Sequence, residues 1–265
     1  MLNAENIVVH LNRRAIVKDI SLTAKAGDVT CIVGPNGSGK TTLLKALTGE
    51  LPFTGRVTLN DADISAASPA ELAGWRAVLP QSASLSFPFT VHEVVRLGLV
   101  DGIYAPQHAA ARVDEALAAV GLSGFGGRFY QELSGGEAQR VQLARVLAQV
   151  WEPILAGKPR CLFLDEPISS LDIKHQLQVL ELASSYAHRG AAVIAILHDL
   201  NLTAHFADHV VLLHQGERYA FGPAREVLTS ENLEAVYGCP MAVGVAPPGQ
   251  KFFILPQLPP IGPSR

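Results

Sequence analysis

Three stretches of this chain are close to continuously apolar: Asp28–Val33, which is rich in strand-favouring residues and runs into a glycine, Arg160–Leu164 and Ala191–Leu197. A strand with one wet face alternates apolar and polar positions, whereas a strand buried on both faces of a parallel sheet does not. These runs therefore predict the central strands of a parallel sheet. Val210–Leu213 and Arg218–Phe221 flank Gln215-Gly216-Glu217 and predict a hairpin. Ala4–Val9, Ile16–Leu22 and Gly55–Leu59 predict a more antiparallel β layer. Between about residues 88 and 150 the texture changes. Val91–Leu99, Ala109–Val120 and Gly135–Val150 are apolar at helical spacing, with alanine-rich flanks. The expected architecture is a single α/β domain over 1–265, with a mixed sheet core, an antiparallel β layer and a helical subdomain inserted into the core.

Composition narrows the class. A chain of 265 residues can bury a substantial core. Its hydrophobic fraction of 48% excludes a disordered chain. With 21 Lys+Arg against 24 Asp+Glu, the formal net charge is −3, which argues against nucleic-acid binding through bulk positive potential. The opening residues lack the apolar core and small-residue cleavage site of a secretory signal. No run reaches the roughly 18–20 apolar residues of a membrane span, so a soluble cytoplasmic chain is expected. Cys31, Cys161 and Cys239 are too few and scattered for a disulfide frame or zinc site, and are expected to be buried free thiols. Seven of the 17 prolines fall between Pro240 and the end. That density excludes helix and central strand, so 240–265 is expected to be an extended tail, in which Phe252–Leu255 could add a short strand.

The chemistry begins at Gly34-Pro35-Asn36-Gly37-Ser38-Gly39-Lys40-Thr41, which matches G-x-x-x-x-G-K-[ST] at every fixed position. It follows the strand ending at Val33 and precedes an apolar helix, Thr41–Leu47. Glycines let successive N–H groups turn inward around a phosphate, and the helix N-terminus adds partial positive charge. Lys40 supplies a point charge for β- and γ-phosphates, and Thr41 a hydroxyl for Mg²⁺. Cys161–Leu164 is an apolar strand ending in Asp165-Glu166. Open α/β sheets bind ligands at the carboxyl ends of their strands. Asp165 is thereby placed to hold Mg²⁺, and Glu166 to polarise a water in line with the γ-phosphate.

Leu133-Ser134-Gly135-Gly136-Glu137 precedes an amphipathic helix, with Ser134 and Glu137 spaced as a capping box. Capping is a complete structural explanation of that pair. Two glycines in a first helical turn nevertheless cost helix stability. They suit a second anion-binding helix N-terminus, which one nucleotide on one chain does not obviously need.

With these pieces the chain resembles the ATP-binding cassette family over nearly its whole length. The family motifs recur in order: phosphate loop Gly34–Thr42, glutamine loop Gln81, signature Leu133–Glu137 followed by Gln139-Arg140, acidic strand Cys161–Glu166, D-loop Ser169–Asp172 and switch histidine His198. The resemblance implies a P-loop NTPase nucleotide-binding domain with ATP and Mg²⁺ as cofactors. It implies catalytic roles for Glu166, His198 and Gln81, and Mg²⁺ contacts from Thr41, Asp165 and Gln81. It also implies a head-to-tail homodimer, in which Ser134, Gly135, Gly136 and Glu137 serve the partner's γ-phosphate. Asp172 lies in the D-loop that His198 is expected to reach across the dimer. Two departures stand out. Leu11 occupies the position where the family usually stacks an aromatic residue on adenine, and Trp151–Pro159 is longer than the usual connection into the acidic strand.

One cassette without a membrane span is expected to act with two copies of a separate transmembrane permease subunit, at the cytoplasmic face of the bacterial inner membrane. A periplasmic substrate-binding protein is an indirect partner. The segment Phe87–Gly98 and the end Val227–Gly238 are similar to importers for iron chelates, vitamin B12 and heme, and the 151–159 insertion is most similar to bacterial heme importers. The expected function is ATP hydrolysis coupled to heme (hemin) uptake, with a ferric siderophore or vitamin B12 importer as the alternative. A cassette ATPase acting on nucleic acid or the ribosome is more distant, since such proteins carry coiled-coil insertions, tandem cassettes or basic arms that this chain lacks.

Overall fold

The computed structural model describes residues 1–82, 87–100 and 109–246, together with Gly249 and Ile254. Along the chain, β1 (Leu2–Leu11) and β2 (Arg14–Ala24) precede β3 (Val29–Val33) and α1 (Lys40–Leu47). Strands β4 (Thr54–Leu59) and β5 (Ala62–Asp63), helix α2 (Pro69–Trp75) and strand β6 (Arg76–Leu79) follow. Helices α3 (Val91–Arg96), α4 (Ala109–Ala119) and α5 (Gly135–Gln149) come next, then the short strands β7 (Ile154–Leu155) and β8 (Lys158–Pro159). The remainder alternates: β9 (Cys161–Asp165), α6 (Ile173–His188), β10 (Ala192–Ile196), α7 (Leu200–Phe206), β11 (His209–His214), β12 (Glu217–Pro223), α8 (Ala224–Val227) and α9 (Ser230–Tyr237).

The central sheet has the order β12-β11-β3-β10-β9-β6. All its strands are parallel except β12, which pairs antiparallel with β11. A second, antiparallel sheet has the order β2-β1-β4-β5. The mixed core and antiparallel layer expected from the hydrophobic pattern are both present. Strands β3, β9 and β10 are buried at every position. Their alternate side chains feed two cores. Cys31, Leu162, Leu164, Val193 and Ala195 join a cluster with α3–α6. Ile32, Phe163, Ile194 and Ile196 join one with α1 and the antiparallel sheet.

Local chemistry sets several boundaries. Helix α3 begins in a capping box between Thr90 and Glu93, and it ends before the expected Leu99. At Gly98 a Cβ would lie 2.0 Å from the Arg145 carbonyl oxygen, so the chain passes flush against α5 there. The β11–β12 hairpin turns on Gln215 (φ 51°) and Gly216 (φ 84°), the two left-handed residues that a tight hairpin turn of matching twist requires. The insertion at 151–159 is itself a small hairpin, β7–β8, turning on Ala156 and Gly157, both at positive φ. It is tied to the rest of the fold on several sides. The Arg112 guanidinium lies 4.8 Å from the Trp151 ring centroid. The Pro159 carbonyl accepts from Asn60 Nδ2 at 2.7 Å, and the Pro153 carbonyl from the Arg160 N–H at 2.8 Å.

Burial pushes the Cys31 and Cys161 thiols up to about 12, so both are inert packing residues. Cys239 departs from the expectation of burial: it is exposed just past Gly238, the left-handed residue that ends α9. Ile254 is exposed, and the rest of the suggested strand at 252–255 lies outside the described residues.

Candidate functional site

Four neighbouring parallel strands deliver candidate residues at one edge of the central sheet. The phosphate loop follows β3, His198 follows β10 after Leu197, Asp165 and Glu166 lie at the end of β9, and Gln81 follows β6 after Pro80. That edge is the carboxyl end of the strands, where open α/β sheets bind ligands. A cavity of about 700 Å³ opens there, lined by Ile16, Asn36, Gly37, Gly39, Lys40, Thr41, Thr42, Gln81, Glu166 and His198.

The loop is held from behind. Gly34 has φ 149°, and a Cβ on it would lie 2.3 Å from the Leu213 carbonyl oxygen of β11. Gly39 is the left-handed N-cap of α1, which no side chain caps. Gly39, Lys40, Thr41 and Thr42 line the cavity, so the helix start is left open to a ligand there. The Gly216 N–H donates to the Ser38 carbonyl at 3.2 Å. Lys40 Nζ donates to the Gly34 and Pro35 carbonyls at 2.8 and 3.0 Å, curling over the loop. Burial pulls the Lys40 ammonium below its ordinary pKa, with Glu166 and Asp165 opposing the shift.

Thr41 Oγ1 donates to Asp165 Oδ1 at 3.3 Å, although the two residues come from different elements. Burial, aided by the negative charge of Glu166, pushes the Asp165 carboxyl above its usual range. A hydroxyl and a desolvated carboxylate side by side form a hard-oxygen donor set. Among the described residues there is no cluster of three or more His, Cys, Asp or Glu that would form an all-protein metal cage. This sparse set fits Mg²⁺, which keeps several waters and takes substrate phosphates as ligands. Glu166 has φ 51°, an uncommon backbone for a non-glycine residue, and its Oε1 lies 2.6 Å from His198 Nε2.

The signature residues lie elsewhere. Ser134, Gly135, Gly136 and Glu137 line a separate cavity of about 460 Å³ with Arg140, Ser170, Leu171, Asp172 and His175. The capping box is complete: Ser134 Oγ accepts from the Glu137 N–H, and Glu137 accepts from the Ser134 N–H at 2.8 Å. The Ser134 N–H and the Ser134 hydroxyl, which donates to Glu137 Oε2 at 2.7 Å, hold the Glu137 carboxyl below its ordinary pKa. Asp172 caps α6 by accepting from the His175 N–H at 2.9 Å, and this bond lowers its pKa.

Within one chain, then, the phosphate loop, Gln81, Asp165, Glu166 and His198 come together, and the signature and D-loop form a second group. Gly34, Pro35 and Ser38 form the back of the loop. Leu11 is not part of the cavity lining: it is 39% exposed at the last rung of β1 against Arg14. Ile16 lines the cavity instead. Sequence reasoning placed Ile16 only in a strand. Its position near the end of the β1–β2 hairpin, facing the loop, was the signal available.

Residues 17–169 match the family described as ABC transporter. Across 97% of its length the chain is 57% identical to Hemin import ATP-binding protein HmuV of Jannaschia sp. (strain CCS1), covering 95% of that protein. It is 56% identical to the protein of the same name from Rhizobium meliloti (strain 1021), over 97% of this chain and 98% of the relative. Among solved structures it is similar to the ADP conformation of an ATP-binding cassette of an ABC transporter, with TM-score 0.75, 26% identity and coverage of 89% and 97% of the two chains. It is also similar to the dimeric post-hydrolysis state of an ATP-binding cassette bound to ADP and Pi, with TM-score 0.72, 26% identity and coverage of 85% and 99%.

Proposed function

The chain belongs to the ABC transporter family, and from that premise we propose that it is the ATP-hydrolysing subunit of a hemin importer. The observation that carries the ATPase reading is the single cavity joining Lys40, Thr41, Glu166 and His198, with Asp165 bonded to Thr41. The hemin reading rests on the full-length relatives named for hemin import. We take the chain as one cassette whose helical subdomain spans about residues 88–150, by the change in hydrophobic period there.

Phosphoryl transfer to water needs mainly positioning and charge stabilisation. In this reading the loop N–H groups and Lys40 bind the β- and γ-phosphates. Thr41 and Asp165, with Gln81 at the cavity wall, hold Mg²⁺. When bound, that ion neutralises charge building on the phosphates. Glu166 takes a proton from the attacking water, and His198 orients the Glu166 carboxylate and contacts the γ-phosphate. Products are ADP and inorganic phosphate. Ile16 supplies an apolar contact for the base in place of an aromatic stack.

In this reading the signature cavity, which shares no lining residue with the loop cavity, is a second phosphate site. The subunit therefore works as a head-to-tail homodimer, each signature closing over the partner's nucleotide. Among the described residues no helix is long and apolar enough to cross a membrane. As a subunit of an importer, the dimer works with two permease subunits, to which it binds peripherally at the cytoplasmic face of the inner membrane. A periplasmic binding protein delivers the substrate on the far side.

The test is reconstitution. Co-expressed with its permease in proteoliposomes, the wild-type chain drives hemin uptake with Mg-ATP. Glu166→Gln retains ATP binding, loses hydrolysis by about 10²–10⁴-fold and accumulates as an ATP-bound dimer. Uptake of a ferric siderophore or vitamin B12 in place of hemin overturns the substrate. Near-wild-type hydrolysis in Glu166→Gln overturns the role of Glu166.

A further inference from the structure

Gln139 lies in the second turn of α5 and lines neither cavity, yet both ends of its side-chain amide are engaged. Nε2 donates to the main-chain carbonyl of Glu166 at 3.0 Å, and Oε1 accepts the main-chain N–H of Ser170 at 3.3 Å. The partners fix the amide orientation, because a flip would set NH₂ against N–H and oxygen against carbonyl. The Glu166 carbonyl also accepts from Ser169 Oγ at 3.2 Å and the Ser169 N–H at 3.4 Å. Of these three donors, Gln139 alone comes from outside the 166–170 turn.

The contact matters because of where it lands. Glu166 sits at φ 51°, a backbone conformation that persists at functional sites only when the surroundings hold it. That backbone sets the direction in which the carboxylate leaves toward His198. Helix α5 is itself seated closely on this turn. A Cβ on Gly136 would lie 3.1 Å from the Ser170 carbonyl oxygen and 3.3 Å from Leu171 Cδ2. The start of α5, the turn and the backbone that carries the carboxylate are therefore joined by direct contacts.

We propose that Gln139 is a positioning residue for hydrolysis. It fixes the Glu166 backbone and makes the aim of that carboxylate depend on where the signature end of α5 lies. The inference rests on the reading of Glu166 as the group that activates water. It goes further in assigning control of that group to a side chain that touches neither nucleotide nor water.

Two variants test it in the purified full chain. Gln139→Met keeps the volume and removes both bonds. Gln139→Glu keeps the shape and the acceptor, loses the donor and sets an oxygen against the Glu166 carbonyl. Steady-state hydrolysis with Mg-ATP, affinity for a fluorescent ATP analogue and thermal melting are measured for each. The expected fall in kcat is about tenfold in Gln139→Met and at least that in Gln139→Glu. KM and analogue affinity stay within about twofold, because binding and chemistry separate for a residue outside the cavity. On a Glu166→Gln background, Gln139→Met causes no further loss, the signature of two residues acting as one unit. Should Gln139→Met fail to fold, the isosteric glutamate variant decides alone. Hydrolysis within twofold of wild type in both variants overturns the proposal, as does a KM that rises in step with the fall in kcat. A full additional loss on the Glu166→Gln background overturns it as well. A wild-type chain without ATPase activity overturns both readings; an active wild type with unaffected variants overturns only this one.

Discussion

Ser134→Ala separates two roles that one residue holds. As a cap, Ser134 accepts the Glu137 N–H and donates its hydroxyl to Glu137 Oε2 at 2.7 Å. Replacing an N-cap serine by alanine costs about 1 kcal/mol. For a chain of 265 residues the unfolding entropy at the midpoint is about 0.56 kcal/mol per kelvin, so the melting temperature should fall by about 2 °C. If capping were the whole role, hydrolysis would follow stability and stay close to wild type at 25 °C. If the hydroxyl turns its single proton from Glu137 to a partner's phosphate when nucleotide binds, a hydrogen bond to a charged group is lost in the variant. Such bonds are worth about 1.5–3 kcal/mol, a fall of roughly 10- to 100-fold in kcat. The control is Ser134→Asn, since asparagine caps about as well as serine. It should restore melting and leave hydrolysis impaired, because its bulkier amide enters the cavity where the hydroxyl stood. Calorimetry and a coupled ATPase assay above dimer-forming concentrations give both readouts. A Ser134→Ala chain that loses the 2 °C and keeps full hydrolysis refutes the phosphate role and leaves only the cap.

Asp165→Asn should stabilise the nucleotide-free chain and abolish Mg²⁺-dependent hydrolysis. The folded Asp165 carboxyl has a raised pKa because of burial and of Glu166. The folded state therefore holds its proton longer than the unfolded one, and stability is lost as pH rises from the ordinary carboxylate value through the folded pKa. The gain in melting temperature for Asp165→Asn should appear above that window and vanish below it; an equal gain at low pH counts against the assignment. Gly34→Ala should lower the melting temperature by several degrees and weaken ATP binding, since its Cβ would stand 2.3 Å from the Leu213 carbonyl and the loop must move away from β11. An unchanged melt would show that the loop does not press on that strand.

Legibility in the sequence followed burial. Strands β3, β9 and β10 were readable because both of their faces are covered, so every position is apolar. Helices α2, α6, α7 and α9 went unread, although each begins at a capping residue the sequence displays: Ser68 with Glu71, Asp172, Asp199 and Thr229. Strand β6, four residues long with an arginine at its start, has no periodicity to display. Gln139 was visible only as a neighbour of the signature, because its partners lie 27 and 31 residues away. The Gly135-Gly136 pair shows where local reading stops and geometry continues. Gly136 is accounted for inside the chain, where any Cβ would crowd Ser170 and Leu171. Gly135 is not: a Cβ there would meet nothing within 4 Å. The capping box needs Ser134 and Glu137 alone, and glycine in a helix gives up as much as about 1 kcal/mol relative to alanine. Among the described residues nothing offsets that cost. On the proposed reading of the chain as half of a head-to-tail dimer, the offset comes from what approaches the bare backbone at the start of α5. A phosphate held by a second copy of the same chain has the charge that helix N-terminus attracts.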